Sequence, residues 1–377
     1  MLWRRRTYLD AAAGVSGNPS SPHAEGRRAK KILEDARTDI ARLLEVQSDD
    51  VIFTSGATES NALAILGHVR ALRALAGPDT AGRNNMHVLY LPSAHASIVE
   101  NAKLLAEEGI SVEALPIKDA RVDAEALAKL LRKETVLVSM DAVCGETGIV
   151  WNTREVAERL RKFGTRILLH VDASQAPLTE KVTRAHFDAD LLTLDGAKVG
   201  PRGVGVLVAH RTIPLVPLYG GGGQERGLRS GSGTPELARA FAAALADAAR
   251  GREKFRAAAL RERARLAERI KNAAPNIQIN EGRAQAPNIL NISLPGRDTD
   301  YLVALLDEAG FAVSTRSACE TDSEEGSRAV FALSGDRERA RSTLRISWGP
   351  GVRHGELARF AKAFLQAVAF IDSSAVR

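Results

Sequence analysis

The stretch Asp190-Leu-Leu-Thr-Leu-Asp195-Gly-Ala-Lys198-Val-Gly-Pro-Arg-Gly-Val-Gly-Val-Leu-Val208 decides how the chain folds. Two short apolar runs, Leu191 to Leu194 and Val204 to Val208, read as buried strands. Between them Gly196, Gly200, Pro201 and Gly203 build a turn that holds one lysine. Glycine lets the backbone take left-handed angles or come close to a ligand. A lysine between two buried strands is placed to be partly desolvated, which favours the free, nucleophilic amine. In most strand-connecting loops a lysine is simply solvated, so the neighbouring segments must decide.

Upstream, Ile167-Leu-Leu-His-Val-Asp172-Ala-Ser-Gln175 is a β-branched and leucine run that ends in an aspartate. In open α/β sheets the carboxyl ends of strands line the ligand crevice. A Schiff-base lysine with an aspartate for a pyridinium nitrogen is the pairing that pyridoxal phosphate (PLP) requires.

The rest of the chain supplies the frame. Apolar spacing through Ile32, Leu33, Ala36, Ile40 and Leu44 predicts a helix from about Ala24 to Leu44. Strand Val51–Thr54 breaks at Ser55-Gly56-Ala57-Thr58, and Glu59 to Leu75 turns helical. Strands then alternate with helices through Val88–Leu91, Ala96–Glu108, Val112–Leu115, Ala124–Leu131, Thr135–Met140, Thr153–Phe163 and Ile167–Val171. That alternation predicts a large domain, 10–240, built on a mostly parallel sheet of seven strands with helices on both faces. After the glycine-rich loop from Tyr219 to Thr234, Pro235 opens a long Ala/Arg/Glu helix to about Asn272. Strands Ile289–Leu294, Ala312–Thr315 and Leu344–Ser347, with helices Thr299–Ala309 and Gly355–Ile371, predict a smaller α+β domain, 241–377, joined by residues 1–9.

A chain of 377 residues exceeds one small core. Hydrophobic content of 45% beside 26% charged residues is that of a soluble globular protein. The net charge of +6 is spread along helical stretches, and aromatics are only 5%, which argues against nucleic-acid binding. The basic start Met1-Leu-Trp-Arg-Arg-Arg6 lacks the apolar run of a signal peptide. No stretch has the length needed to cross a bilayer. Two cysteines, Cys144 and Cys319, fit a reducing cytoplasm.

Four further segments carry chemistry. Thr54-Ser-Gly-Ala57-Thr58 sits where a strand passes into a helix, so it reads either as a phosphate site or as a plain helix cap. His95 follows another strand end, either structural or free to stack on a flat cofactor. Cys319 lies in Ser317-Ala-Cys-Glu-Thr-Asp-Ser-Glu-Glu-Gly-Ser327, whose acids oppose thiolate formation. Arg345, on a predicted strand, either clamps a carboxylate with its fork or faces solvent.

Together these segments resemble the cysteine desulfurases of the NifS/IscS kind, class V aminotransferase-family enzymes of PLP fold type I. The likeness runs from Tyr8 to about Gly349 and is carried by Phe53-Thr-Ser-Gly-Ala-Thr-Glu-Ser60, His170-Val-Asp-Ala-Ser-Gln175, Gly221-Gly-Gly-Gln-Glu-Arg226, Ala286-Pro-Asn-Ile-Leu-Asn-Ile-Ser293 and Ser317-Ala-Cys319. The resemblance implies an α/β fold and the conversion of L-cysteine to alanine with sulfur held as a persulfide on Cys319. It implies that Lys198 holds PLP and moves the α-proton, that Asp172 pairs with the ring nitrogen, and that Gln175 bonds the phenolic oxygen. His95 would stack on the ring, Ala57 and Thr58 would bind phosphate, and Arg345 would hold the substrate carboxylate. Ser232 or Thr234 would reach the phosphate of a second subunit. A cytoplasmic homodimer serving a sulfur-accepting scaffold or carrier protein follows, with no membrane or direct nucleic-acid partner.

The chain also departs from the family's pattern. Gly145 stands where an asparagine is usual, and Asp195-Gly-Ala-Lys198 replaces Ser-Gly-His-Lys. The aspartate sets a carboxylate near a phosphate, a repulsion of about 1 kcal/mol when solvated. The span from Asp10 to Gly17 is short by about a helix. Two rivals follow: another class V activity, such as selenocysteine lyase or an aminotransferase, and a non-catalytic scaffold.

Overall fold

The structure is a computed structural model that describes residues 7–15, 17–77, 85–164, 166–315, 326–353 and 355–375. Helix α1 (Ala24–Leu44) begins at His23, whose Nδ1 accepts from the Gly26 amide at 3.1 Å. Its buried Leu33, Ala36, Ile40 and Leu44 form one stripe. Strand β1 (Val51–Thr54) leads into a continuous helical run made of α2 (Ala57–Ala62), a π-helical turn (Leu63–Gly67) and α3 (His68–Leu75). Then come β2 (His87–Tyr90), α4 (Ala96–Glu107), β3 (Ser111–Ala114), the hairpin β4 (Ile117–Lys118) and β5 (Arg121–Val122), and α5 (Ala124–Leu130). The large sheet is completed through β6 (Thr135–Asp141), α6 (Thr153–Lys162), β7 (Leu168–Asp172), α7 (Arg184–Phe187), β8 (Leu191–Asp195) and β9 (Gly205–Ala209).

The seven strands lie in the order β1-β9-β8-β7-β6-β2-β3. Neighbours from β8 to β3 pair in parallel, whereas β9 is antiparallel to both β8 and β1. The connection 196–204 is too short for the crossover that a parallel pair needs, so β9 must return antiparallel. Strand β1 therefore points the same way as β8, and the carboxyl ends of β1, β2, β6, β7 and β8 open on one rim. Burial on both faces of β1, β7 and β9 matches the helix-covered sheet that their continuous apolar runs predict.

Pro235 occupies the first turn of α8 (Pro235–Ala273), as its fixed φ favours. This helix packs along α1 and gives Ala238, Phe241, Ala242 and Leu245 to the first core. Its far half gives Ala259, Leu266 and Ile270 to a second core. That second core backs an antiparallel sheet β10-β11-β12, from β10 (Gln278–Ile279), β11 (Ile289–Ser293) and β12 (Thr343–Ser347). Helices α9 (Thr299–Glu308), α10 (Arg328–Ser334), α11 (Arg337–Arg341) and α12 (Glu356–Ala375) complete the chain. The strand expected at Ala312–Thr315 is a single bridge, Ser314 to Arg345, because Phe311 and Val313 pack instead against the second core.

Candidate active site

Asp172 ends β7 with its carboxylate buried, and both oxygens are engaged. Oδ1 accepts from the Ser174 amide at 2.9 Å and Oδ2 from Asn61 Nδ2 at 2.7 Å. The same Asn61 nitrogen donates to Ser97 Oγ at 2.8 Å. Ser97 Oγ in turn lies 2.8 Å from His95 Nδ1, which also accepts from the Ser97 amide at 3.2 Å. An unbroken chain, Asp172–Asn61–Ser97–His95, thus ties α2 and the first turn of α4 to the end of β7. With Nδ1 accepting, the proton of a neutral His95 sits on Nε2. Behind this chain His170 is pinned by Ser139 at 2.8 Å and Thr193 at 3.0 Å. Burial pushes its pKa down to about 4 against the pull of Asp172, so it is neutral.

The turn at Gly56 is shaped by close packing. A Cβ on Gly205 would come within 2.7 Å of the Gly56 backbone, so β9 can meet the turn only through glycine. Gly56 is the N-cap of α2 and offers no side-chain cap; Thr54 Oγ1 bonds Ser60 Oγ at 2.7 Å instead. The plain-cap reading is therefore wrong for this helix start. The amides of Ala57 and exposed Thr58 head a helical run, the setting in which anions bind. Glu59 secures the turn by accepting from the Ser55 amide at 2.7 Å and from Tyr219 Oη at 2.9 Å.

Lys198 closes a 3-10 turn, Gly196–Lys198, whose N-cap is Asp195. Asp195 Oδ1 accepts from the Ala197 amide at 3.0 Å, so its carboxylate has a structural task in the turn. Lys198 itself is exposed, not partly desolvated as expected. The turn carries it past the end of the buried strands, beyond the cover they provide.

Gln175 and Gly145 are neighbours: a Cβ on Gly145 would meet Gln175 Nε2 at 3.1 Å. The glutamine amide thus stands against the space left by the missing side chain. Arg345, half-buried on β12, donates to the Gly145 carbonyl at 3.2 Å, which excludes the solvent-facing reading and joins the small sheet to this rim. Ser232 lies elsewhere on this chain, accepting from Asn18 Nδ2 at 3.1 Å. Ser317 and Cys319 lie outside the described residues. Cys144 is buried, and its thiol is pushed up to about 12, chiefly by burial, so it is not a nucleophile.

Sequence reasoning did not single out Asn61 or Ser97. Their only signal was position: Asn61 lies just past the first turn, and Ser97 within the first turn, of a helix that follows a strand end. A cavity of about 660 Å³ lies to the side of the rim, lined by Arg37, Phe53, Thr54, Glu225, Arg229 and Thr234, with neither Asp172, His95 nor Lys198 in its wall.

The residues present suit PLP: a held carboxylate for the ring nitrogen, an uncapped helix start for the phosphate and an anchored imidazole. Fold and rim together define a PLP enzyme of fold type I. Residues 6–360 match the aminotransferase class-V family, and the chain belongs to it. Among its relatives, "Cysteine desulfurase IscS 1" of Archaeoglobus fulgidus is 34% identical over 337 residues, covering 88% of this chain and 85% of the relative. "Cysteine desulfurase, mitochondrial" of Candida albicans is 32% identical, covering 96% of this chain and 73% of the relative. The solved structure of a "NIFS-like protein" superposes with a TM-score of 0.84 at 28% identity, covering 94% of this chain and 92% of that one. DndA from Streptomyces lividans gives 0.73 at 32% identity, covering 90% and 93%.

Proposed function

We propose that this protein is a PLP-dependent cysteine desulfurase that takes sulfur from L-cysteine and releases L-alanine. The observation that carries the reading is the bonded set Asp172–Asn61–Ser97–His95 at the strand ends, beside the Lys198 turn. When bound, PLP supplies the electron sink for a carbanion at the substrate Cα. Asp172 holds the ring nitrogen protonated, and Gln175 donates to the phenolic oxygen. Ala57 and Thr58 bind the phosphate, and the Asp195 carboxylate nearby weakens that hold. His95 stacks on the ring. Lys198 Nζ anchors the cofactor and moves the Cα proton; Arg345 binds the substrate carboxylate through its fork. The Cys319 thiolate attacks the substrate sulfur, so the S–S bond forms as the C–S bond breaks, and the electron pair left on carbon takes a proton to give alanine.

The finer reading is a homodimer in which the Ser232 or Thr234 loop reaches the second subunit's phosphate. Exposed Leu9 and Val15, 90% and 89% accessible, support a covering partner near that loop. We take 10–240 as the cofactor domain and 241–377, with 1–9, as the small domain carrying Cys319. Sulfur would pass to a scaffold or carrier protein for iron–sulfur clusters or tRNA thiolation in the cytoplasm. Among the described residues no helix is long and apolar enough to cross a membrane. Borohydride reduction of the PLP-loaded protein should leave a phosphopyridoxyl adduct on Lys198 in peptide mapping, and cysteine should yield sulfide under reductant. Cys319→Ala should lose the sulfide yield. An unlabelled Lys198, or full sulfide release by Cys319→Ala, would defeat the reading.

A further inference from the structure

Strands β6 and β7 run parallel and in register, and their last residues, Asp141 and Asp172, are partners. Residues paired in this way project to the same face of a sheet whose strands lie about 4.8 Å apart. Both carboxyls are buried, at 4% and 5% exposure. Asp172 has a donor on each oxygen, whereas Asp141 Oδ1 is buried with no hydrogen-bond partner. Two like charges so close in a buried setting are not both ionised. N–H donors favour the charged form, so the proton belongs on the member of the pair with the unpaired oxygen, Asp141.

The surroundings favour the same assignment. Burial first, and then Asp172, hold the Asp141 carboxyl well above the usual range, and Glu146 adds to this; the residue's own backbone amide and Arg328 on α10 oppose it without reversing it. The other titratable neighbours, Cys144 and His170, are neutral and bring no charge.

We propose that Asp141 is a positioning residue for Asp172: a proton-bearing carboxyl that gives the pair one negative charge to set against the cofactor's ring nitrogen. This rests on the PLP reading, but its signature is a proton that the protein carries with or without cofactor. A group whose pKa is raised by folding stabilises the fold fully below its unfolded pKa, and that contribution fades as pH climbs through the folded value.

Asp141→Asn keeps the shape and abolishes the titration. Below about pH 4, where an unfolded aspartate is itself protonated, pH should not change the stability difference between the natural chain and the variant. As pH rises the natural chain should fall behind, its midpoint a few degrees lower at mildly alkaline pH. Its infrared spectrum should show a protonated-carboxyl C=O band that the variant lacks. With PLP bound, the visible spectrum of the natural chain should gain an alkaline step that is missing from Asp141→Asn. Should Asp141→Asn not fold, the band can be titrated in Asp172→Asn, where loss of the like charge should make it vanish at lower pH. Parallel stability profiles, a band that persists in Asp141→Asn, or a band unmoved in Asp172→Asn would overturn the proposal. Band and pH slope present in a protein that takes up no PLP would sustain the shared charge and overturn the functional reading instead.

Discussion

Replacing Asn61 with alanine tests the site where it is most tightly connected. One amide nitrogen makes two bonds, 2.7 Å to Asp172 Oδ2 and 2.8 Å to Ser97 Oγ, and both ends are buried. A hydrogen bond to a charged group contributes about 1.5–3 kcal/mol and a neutral one about 1 kcal/mol. Loss of both, with an Asp172 oxygen left buried and unpaired, should cost about 2–4 kcal/mol. Urea unfolding of the cofactor-free protein measures this directly as a shift in midpoint at constant slope. Two further readouts separate positioning from bulk stability. PLP affinity should fall because Asp172 is no longer held, whereas the ¹⁵N shifts of His95 should keep the Nε2–H tautomer that the Ser97 amide still fixes, showing the fold intact. A variant within about 0.5 kcal/mol of the natural chain, the scatter of surface substitutions, and with PLP affinity unchanged would refute the chain of bonds as described.

Two other perturbations address the support around the rim. Arg37 makes a bidentate pair with Glu225 at 2.8 Å on each arm, donates to the Val51 carbonyl at 2.7 Å and covers the Phe53 ring. Arg37→Leu should cost about 3–5 kcal/mol in the same unfolding assay, because Glu225 stays buried without its counter-charge, and adding Glu225→Leu should recover much of that loss. Gly205→Ala drives a methyl into the Gly56 backbone; it should cost about 1–3 kcal/mol and weaken PLP binding by displacing Ala57 and Thr58. Equal cofactor affinity in the alanine variant would show that the turn does not need that close approach.

Much of this architecture is legible in the residues. The periodic run from Ala24 to Leu44 becomes α1 with those bounds, and the apolar runs ending at Asp172 and Asp195 become β7 and β8. What escapes a sequence reading has physical causes. Strands β4, β5 and β10 span two residues each, too few for a period of two to register. Asn61 and Ser97 matter only because tertiary packing brings two helices to one carboxylate. The exposure of Lys198 depends on how far a 3-10 turn carries it from the sheet, which composition does not encode. Asp195, read from sequence as a repulsion, is also the acceptor that caps the lysine's turn.

The packing of α1 on α8 has a consequence during synthesis. The first helix is complete at Leu44, but its partner begins only at Pro235, and β9, the neighbour of β1, is likewise made late. At about 5–20 residues per second, the ribosome needs roughly 10–40 s to supply that partner. Through that interval the emerging chain shows Leu33, Ile40 and Leu44, with the unpaired edge of β1, to whatever waits at the tunnel exit. The nascent polypeptide should therefore be a client for holding chaperones until the second half arrives.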